Sequence, residues 1–166
     1  MYKNIQQYKD IREKILSGVS KLNDPIAGTL TPLGKNVIIQ DDKGSVFSTN
    51  DGFTIAKNIF LKDPIEYATV ELIKPASFKT NSIAGDGTST TILLASTLIR
   101  EGFKLIDEGY NPMQLKRDLD NVSGALSNEI KKRKLDIVDD NDLFHIAKTS
   151  SNNDVGIASD VVKIVN

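Results

Sequence analysis

Apolar residues return every three or four positions through most of this chain, a spacing that admits little besides amphipathic helices. Ile5, Tyr8, Ile11, Ile15, Val19 and Leu22 form the first stripe. Gly18 weakens that helix slightly, and Pro25 predicts a kink or an end near Asp24. Residues 63–82 read as a second long helix with Ile65, Ala68, Leu72, Ala76 and Lys79 along one side, kinked or stopped early at Pro75. A third carries Ile92, Ala95, Ile99, Phe103 and Ile106 and ends at Gly109. Asn111 and Pro112 then have the chemistry of an N-cap and a first-turn proline for a fourth helix. Its stripe is Leu115, Leu119, Val122, Leu126 and Ile130, and KKRK (131–134) closes its last turn, where cations complement the helix dipole.

Two segments break the helical period. NVIIQ (36–40) and SVFST (45–49) flank DDKG, which predicts a short β-hairpin. After NDG (50–52), Phe53, Ala56, Ile59 and Phe60 predict a short helix. Beyond Leu135 the character changes to short apolar pieces between acidic and Ser/Asn-rich turns, so a domain boundary or linker is expected near 134–138. The fold class is mainly α with a small β-hairpin.

Composition narrows the function. The 166 residues include 21 basic and 22 acidic side chains, a balance that offers no electrostatic attraction for nucleic acid or an anionic membrane. There is no cysteine, hence no disulfide frame, thiolate nucleophile or Cys-ligated zinc. His145 is the one histidine, which removes an all-histidine metal site within one chain. No apolar run approaches the roughly 18 residues of a membrane span, so a protein in a reducing, cytoplasmic compartment is expected.

The sharpest motif is GDGTST (85–90), a glycine turn opening directly into a helix. Gly85 and Gly87 permit positive φ, and the N–H groups of Thr88, Ser89 and Thr90 would leave the helix N-terminus toward an anion. Asp86 offers the hard carboxylate oxygen that a magnesium–phosphate site uses. The same residues also make a plain Asx-type turn with Thr88 as N-cap. A dinucleotide fingerprint fails because Thr90 stands where its third glycine belongs, and a P-loop at Gly28–Asn36 fails on spacing and on the strand that follows. GTLTPLGK (28–35) is either a nucleotide-wrapping loop or an ordinary one. Asp51 is either a second site carboxylate or the cap of the helix at Phe53. His145 reads as a surface or core histidine, and DDND (139–142) as a solvated loop or N-cap.

Taken in order, TLTPLGKNVIIQ, STNDGFTIAKNIFL, AGDGTSTTILLASTLIREG and GYNPMQLKRDLD resemble the N-terminal part of a GroEL-type (group I) chaperonin, over about Arg12 to Asn153. The resemblance implies the N-terminal half of an ATP-binding equatorial domain over 1–134. The start of an α+β intermediate, or hinge, domain would follow over 135–166, with the apical domain and the returning segments absent from these residues. It implies ATP and Mg²⁺ as cofactors. Thr29, Leu30, Thr31 and Pro32 would line the adenosine and phosphate side of the pocket, and Asn50 would approach the phosphates. Asp51 would lie near the attacking water as the catalytic candidate. Asp86 would hold Mg²⁺, Gly87, Thr88, Ser89 and Thr90 would cradle phosphate, and Ser151 would fall near a hinge contact.

Three residues depart from the family pattern: Thr31 replaces a glycine, Leu33 a lysine, and Asn50 a lysine. Crowding at Thr31 and the lost charge at Asn50 predict weakened nucleotide binding. The implied partners are other chaperonin subunits in a homo-oligomeric ring, a co-chaperonin and unfolded client proteins. The family's general-base aspartate lies on a returning segment, so the 166 residues alone are not expected to hydrolyse ATP. The alternative is a non-catalytic interaction module, or a remnant, that associates with a full-length ring.

Overall fold

The computed structural model describes residues 8–30, 34–40, 44–151 and 153–165. They form two compact units, 1–112 and 113–166. In the first, α1 (Tyr8–Ala27) is followed by a hairpin of β1 (Val37–Gln40) and β2 (Val46–Thr49). Then come α2 (Gly52–Lys57), α3 (Pro64–Ala84) and α4 (Thr88–Asp107). The hairpin is antiparallel, with Val37 opposite Thr49 and Gln40 opposite Val46. The second unit contains α5 (Pro112–Arg133), most of which lies within it, with α6 (Asp140–Ser150) and α7 (Val155–Val165).

The core of the first unit is the meeting of α1, α2, α3 and α4. Val19, Leu22 and Ile26 from α1 pack with Ile55 and Ala56 from α2, Val70 and Ile73 from α3, Ile92 from α4 and Ile39 from β1. Each fully buried aliphatic side chain contributes about 1.5–3 kcal/mol. Polar clamps fix how the helices lie. Arg12 pairs with Asp107 and Arg100 reaches Ser20 and Asp24, so α1 and α4 run in opposite directions. Lys14 binds Asp63 at 2.6 Å, while Ser17 and Lys21 both reach Glu66, tying α1 to the first turns of α3. Gly18 sits in that crossing. A Cβ there would lie 2.8 Å from the Glu66 carbonyl oxygen, so glycine lets the two backbones approach.

Both internal prolines differ from expectation. α1 continues past Pro25 to Ala27, and α3 continues past Pro75 to Ala84. The extra turn of α1 delivers Ile26, fully buried, to the core. Each proline removes the amide that would pair with the carbonyl of Lys21 or Glu71, and both of those residues are exposed. The buried face of α3 also differs. Leu72 is 82% exposed, and Thr69, Val70, Ile73, Lys74 and Ser77 face inward instead. Lys74 is accommodated there because its ammonium donates to the Ile59 carbonyl and to Glu71, against the Phe60 and Tyr67 rings.

α5 begins at Pro112 and ends in Lys131, Lys132 and Arg133, as its sequence predicts, yet none of its residues is buried. Beyond it, the acidic DDND becomes a helix start: Asp139 accepts the Asp142 N–H at 2.9 Å and caps α6. His145 is exposed on α6. Ser151 closes that helix, its hydroxyl lying within reach of the Lys148 and Asp154 carbonyls. No helix among the described residues is long and apolar enough to cross a membrane.

Candidate functional site

Where α3 gives way to α4, both glycines of GDGTST adopt the left-handed conformation, Gly85 at φ 70° and Gly87 at φ 85°. Gly85 caps α3, donating its N–H to the Asn81 carbonyl at 2.8 Å. Gly87, not Thr88, is the N-cap of α4, and a glycine has no side chain to satisfy the helix start. The first intrahelical bond there is Thr91 N–H to the Gly87 carbonyl, 2.9 Å. The N–H groups of Thr88, Ser89 and Thr90 therefore have no intrahelical acceptor. Asp86 stands beside them, its Oδ1 accepting the Gly87 N–H at 2.6 Å.

A second loop converges on this point. Asp51 caps α2, accepting from the Phe53 and Thr54 amides and, at 2.6 Å, from the Thr54 hydroxyl. Partial burial pushes its carboxyl up, but these three hydrogen bonds to the anion outweigh that and hold it below the ordinary value. Asp51 is thus the cap of α2, and it also lines the cavity at this point. The adjacent Gly52 makes the approach possible. A Cβ there would displace the Ser89 hydroxyl and sit 3.1 Å from Ser89 Cβ and 3.2 Å from its Cα, tighter than ordinary contact between the α2 and α4 starts.

The result is a cavity of about 130 Å³ lined by Leu30, Asp51, Asn81, Gly85, Asp86, Gly87, Thr88, Ser89 and Thr90. Of the residues predicted from the sequence, Leu30, Asp51, Asp86, Gly87, Thr88, Ser89 and Thr90 come together here. Thr29 does not line the cavity, and its hydroxyl donates to the Ile26 carbonyl at the end of α1. Asn50 is exposed and also lies off the lining. Thr31 and Pro32 lie outside the described residues. Asn81 and Gly85 are additions to the predicted set. Gly85 was legible within the motif, whereas Asn81 reaches the cavity only because it stands one helical turn before the α3 cap.

The donor set suits a cation carried by phosphate better than a metal caged by protein alone. Among the described residues no three of His, Asp and Glu converge as a metal site. Two carboxylates, Asp51 and Asp86, do flank the free amides. Magnesium commonly takes one or two protein carboxylates and completes its octahedron with phosphate and water.

Residues 22–165 match the TCP-1/cpn60 chaperonin family, and the chain belongs to that family. A solved structure described as the crystal structure of a group III chaperonin in the open state has the same fold, with a TM-score of 0.79 at 24% sequence identity. The match covers 94% of this chain and 31% of that one, so the chain spans about a third of that structure's length. The mainly helical architecture with one small hairpin is that of a chaperonin equatorial domain.

Proposed function

We propose that this chain supplies the nucleotide-binding half of the equatorial domain of a GroEL-type, group I chaperonin subunit. It binds ATP with Mg²⁺, and in a complete subunit hydrolysis drives folding of client proteins inside a ring. The observation supporting this is the α4 N-terminus, uncapped by any side chain and opening between two carboxylates. Three free amides and the positive end of a helix dipole favour an anion. Asp51 and Asp86, however, repel one. A divalent cation reconciles the two, held by Asp86 and shared with the phosphates, where it would neutralise their charge.

The cavity has room for part of a nucleotide. At about 130 Å³ it suits a phosphoryl group, whereas whole small-molecule sites span about 300–1,000 Å³. The adenosine would then extend past Leu30 toward the segment after α1. The group I assignment rests on the TLTPLGK and NPMQLKR strings, and ring neighbours, a co-chaperonin and unfolded clients follow from the same reading.

Calorimetric titration with Mg-ATP tests the proposal. Asp86→Ala should weaken binding at least tenfold with Mg²⁺ present and much less in EDTA; unchanged titrations would refute the metal assignment. The second reading is a non-catalytic module bound to a chaperonin ring. Leu126 and Ile130 favour it, since both are more than half exposed on α5. Native mass spectrometry with and without Mg-ATP separates the two: a ring that shifts with nucleotide supports the first, whereas a nucleotide-indifferent species bound to a larger ring supports the second.

A further inference from the structure

We infer that Thr91 is a positioning residue: its hydroxyl, competed for by Thr80, sets the direction of the first free amide at the α4 N-terminus. The inference rests on the nucleotide reading above. Thr91 Oγ1 lies 2.8 Å from the Gly87 carbonyl oxygen, which also accepts the Thr91 N–H at 2.9 Å. That carbonyl and the Thr88 N–H belong to one planar trans peptide and point in opposite directions. Holding the carbonyl down along the helix therefore aims the Thr88 N–H outward. Thr88 lines the cavity, so the amide so aimed is one of its donors.

Thr80 complicates this lock. Its Oγ1 lies 3.1 Å from Thr91 Oγ1 and 3.0 Å from the Ala76 carbonyl oxygen. Three short contacts are thus shared by two hydroxyl protons, because each threonine donates once. If both protons go to helix carbonyls, the two hydroxyl oxygens face each other without a proton between them. If Thr91 turns its proton to Thr80, the Gly87 carbonyl loses one of its two donors. If Thr80 donates to Thr91 instead, the lock holds and the Ala76 carbonyl gives up only its hydroxyl donor. Gly87 is in the left-handed region with no side chain of its own, and the Thr91 hydroxyl adds a second donor to the carbonyl that the Thr91 N–H already holds.

The two hydroxyls are thereby expected to have opposite effects. Thr91→Val keeps the branched shape and removes the lock; it should weaken Mg-ATP binding about three- to tenfold and move the Thr88 amide resonance, with the melting temperature nearly unchanged. Thr91→Ser should restore both. Thr80→Val removes the competitor, so binding should be unchanged or tighter. The experiment is calorimetric titration of the full chain with Mg-ATP, with ¹⁵N–¹H spectra of the same variants. Weakening by Thr80→Val equal to that by Thr91→Val would overturn the inference, since a simple α3–α4 tie would then explain both. Failure of serine to rescue would also overturn it, by assigning the effect to the methyl group. If wild type does not bind Mg-ATP, the nucleotide reading falls, and the Thr88 resonance decides this inference alone: moved by Thr91→Val and restored by serine supports it, unmoved refutes it. Should Thr91→Val fail to fold, Thr80→Val and Thr91→Ser carry the same decision, because any weakening by the former is contrary to the competition.

Discussion

Replacing Gly18 with alanine sets helix propensity against packing. In an isolated helix the change should stabilise by about 1 kcal/mol. In this fold the new Cβ would lie 2.8 Å from the Glu66 carbonyl oxygen, 3.0 Å from Glu66 Cα and 3.2 Å from Thr69 Cβ. Two of those atoms are backbone and cannot rotate away. Restoring an ordinary contact of 3.4 Å to the nearest requires α1 and α3 to part by 0.6 Å at the crossing. That movement strains the Ser17 and Lys21 bonds to Glu66 and loosens Val19 and Leu22 against Val70 and Ile73. Overpacking of this kind costs about 1–3 kcal/mol, leaving a net loss of about 1 kcal/mol after the propensity gain. With a urea slope of about 2 kcal/mol per molar, the midpoint should fall by about 0.5 M at unchanged slope. Gly124→Ala is the control, because its Cβ would meet nothing within 4 Å and propensity should act alone. Equal stabilisation of the two variants, read by circular dichroism in urea, would refute the claim that the crossing requires glycine.

Gly52→Ala should strain the approach of Asp51 to the α4 start: Ser89 Oγ can rotate away from the added carbon, but Ser89 Cβ at 3.1 Å and Cα at 3.2 Å must give by a few tenths of an ångström. The expected result is Mg-ATP binding weaker by tenfold or more with a lowered melting temperature, and wild-type binding in a titration would contradict the assembly described for this site. Stability should also fall on acidification. Asp63 is held below its ordinary value of 3.8 chiefly by Lys14, and Glu66 below 4.5 chiefly by Lys21 and then Ser17. Depressed carboxylates stabilise fully above those ordinary values and lose their contribution as pH falls through the lower folded ones. Thermal melts between pH 7 and pH 2 should therefore hold level until about pH 4.5 and decline below it. Lys14→Met with Lys21→Met should flatten the decline attributable to this cluster; an unaltered profile would remove these pairs as its cause.

Much of the fold was legible because burial follows helical period. The stripe of α1 from Ile11 to Leu22 (Ile5 lies outside the described residues), that of α4, the hairpin and the stop of α4 before Gly109 all follow from local pattern. The glycine turn at 85–87 was legible for a related reason, since paired glycines before a helix carry their backbone conformation with them. The face of α3 was misread because two apolar rows run along it, one through Leu72 and one through Val70 and Ile73. Periodicity marks both rows, and only the packing partner selects between them. Pro25 and Pro75 were expected to kink or end their helices, and neither ends one: α1 runs on to Ala27 and α3 to Ala84.

By itself, the sequence determined that α1, α3, α4 and α5 are helices, which glycines turn backward at 85–87, and that Asp86 stands at a helix start, because these depend on neighbours within a few residues. Only the tertiary structure decided that Gly18 and Gly52 are contact points rather than weaknesses. It also brought Asp51 from one loop beside Asp86 in another, added Asn81 to the lining, and set Thr80 against Thr91. Those facts depend on distances between segments far apart in the chain, and packing of the helices is what sets such distances.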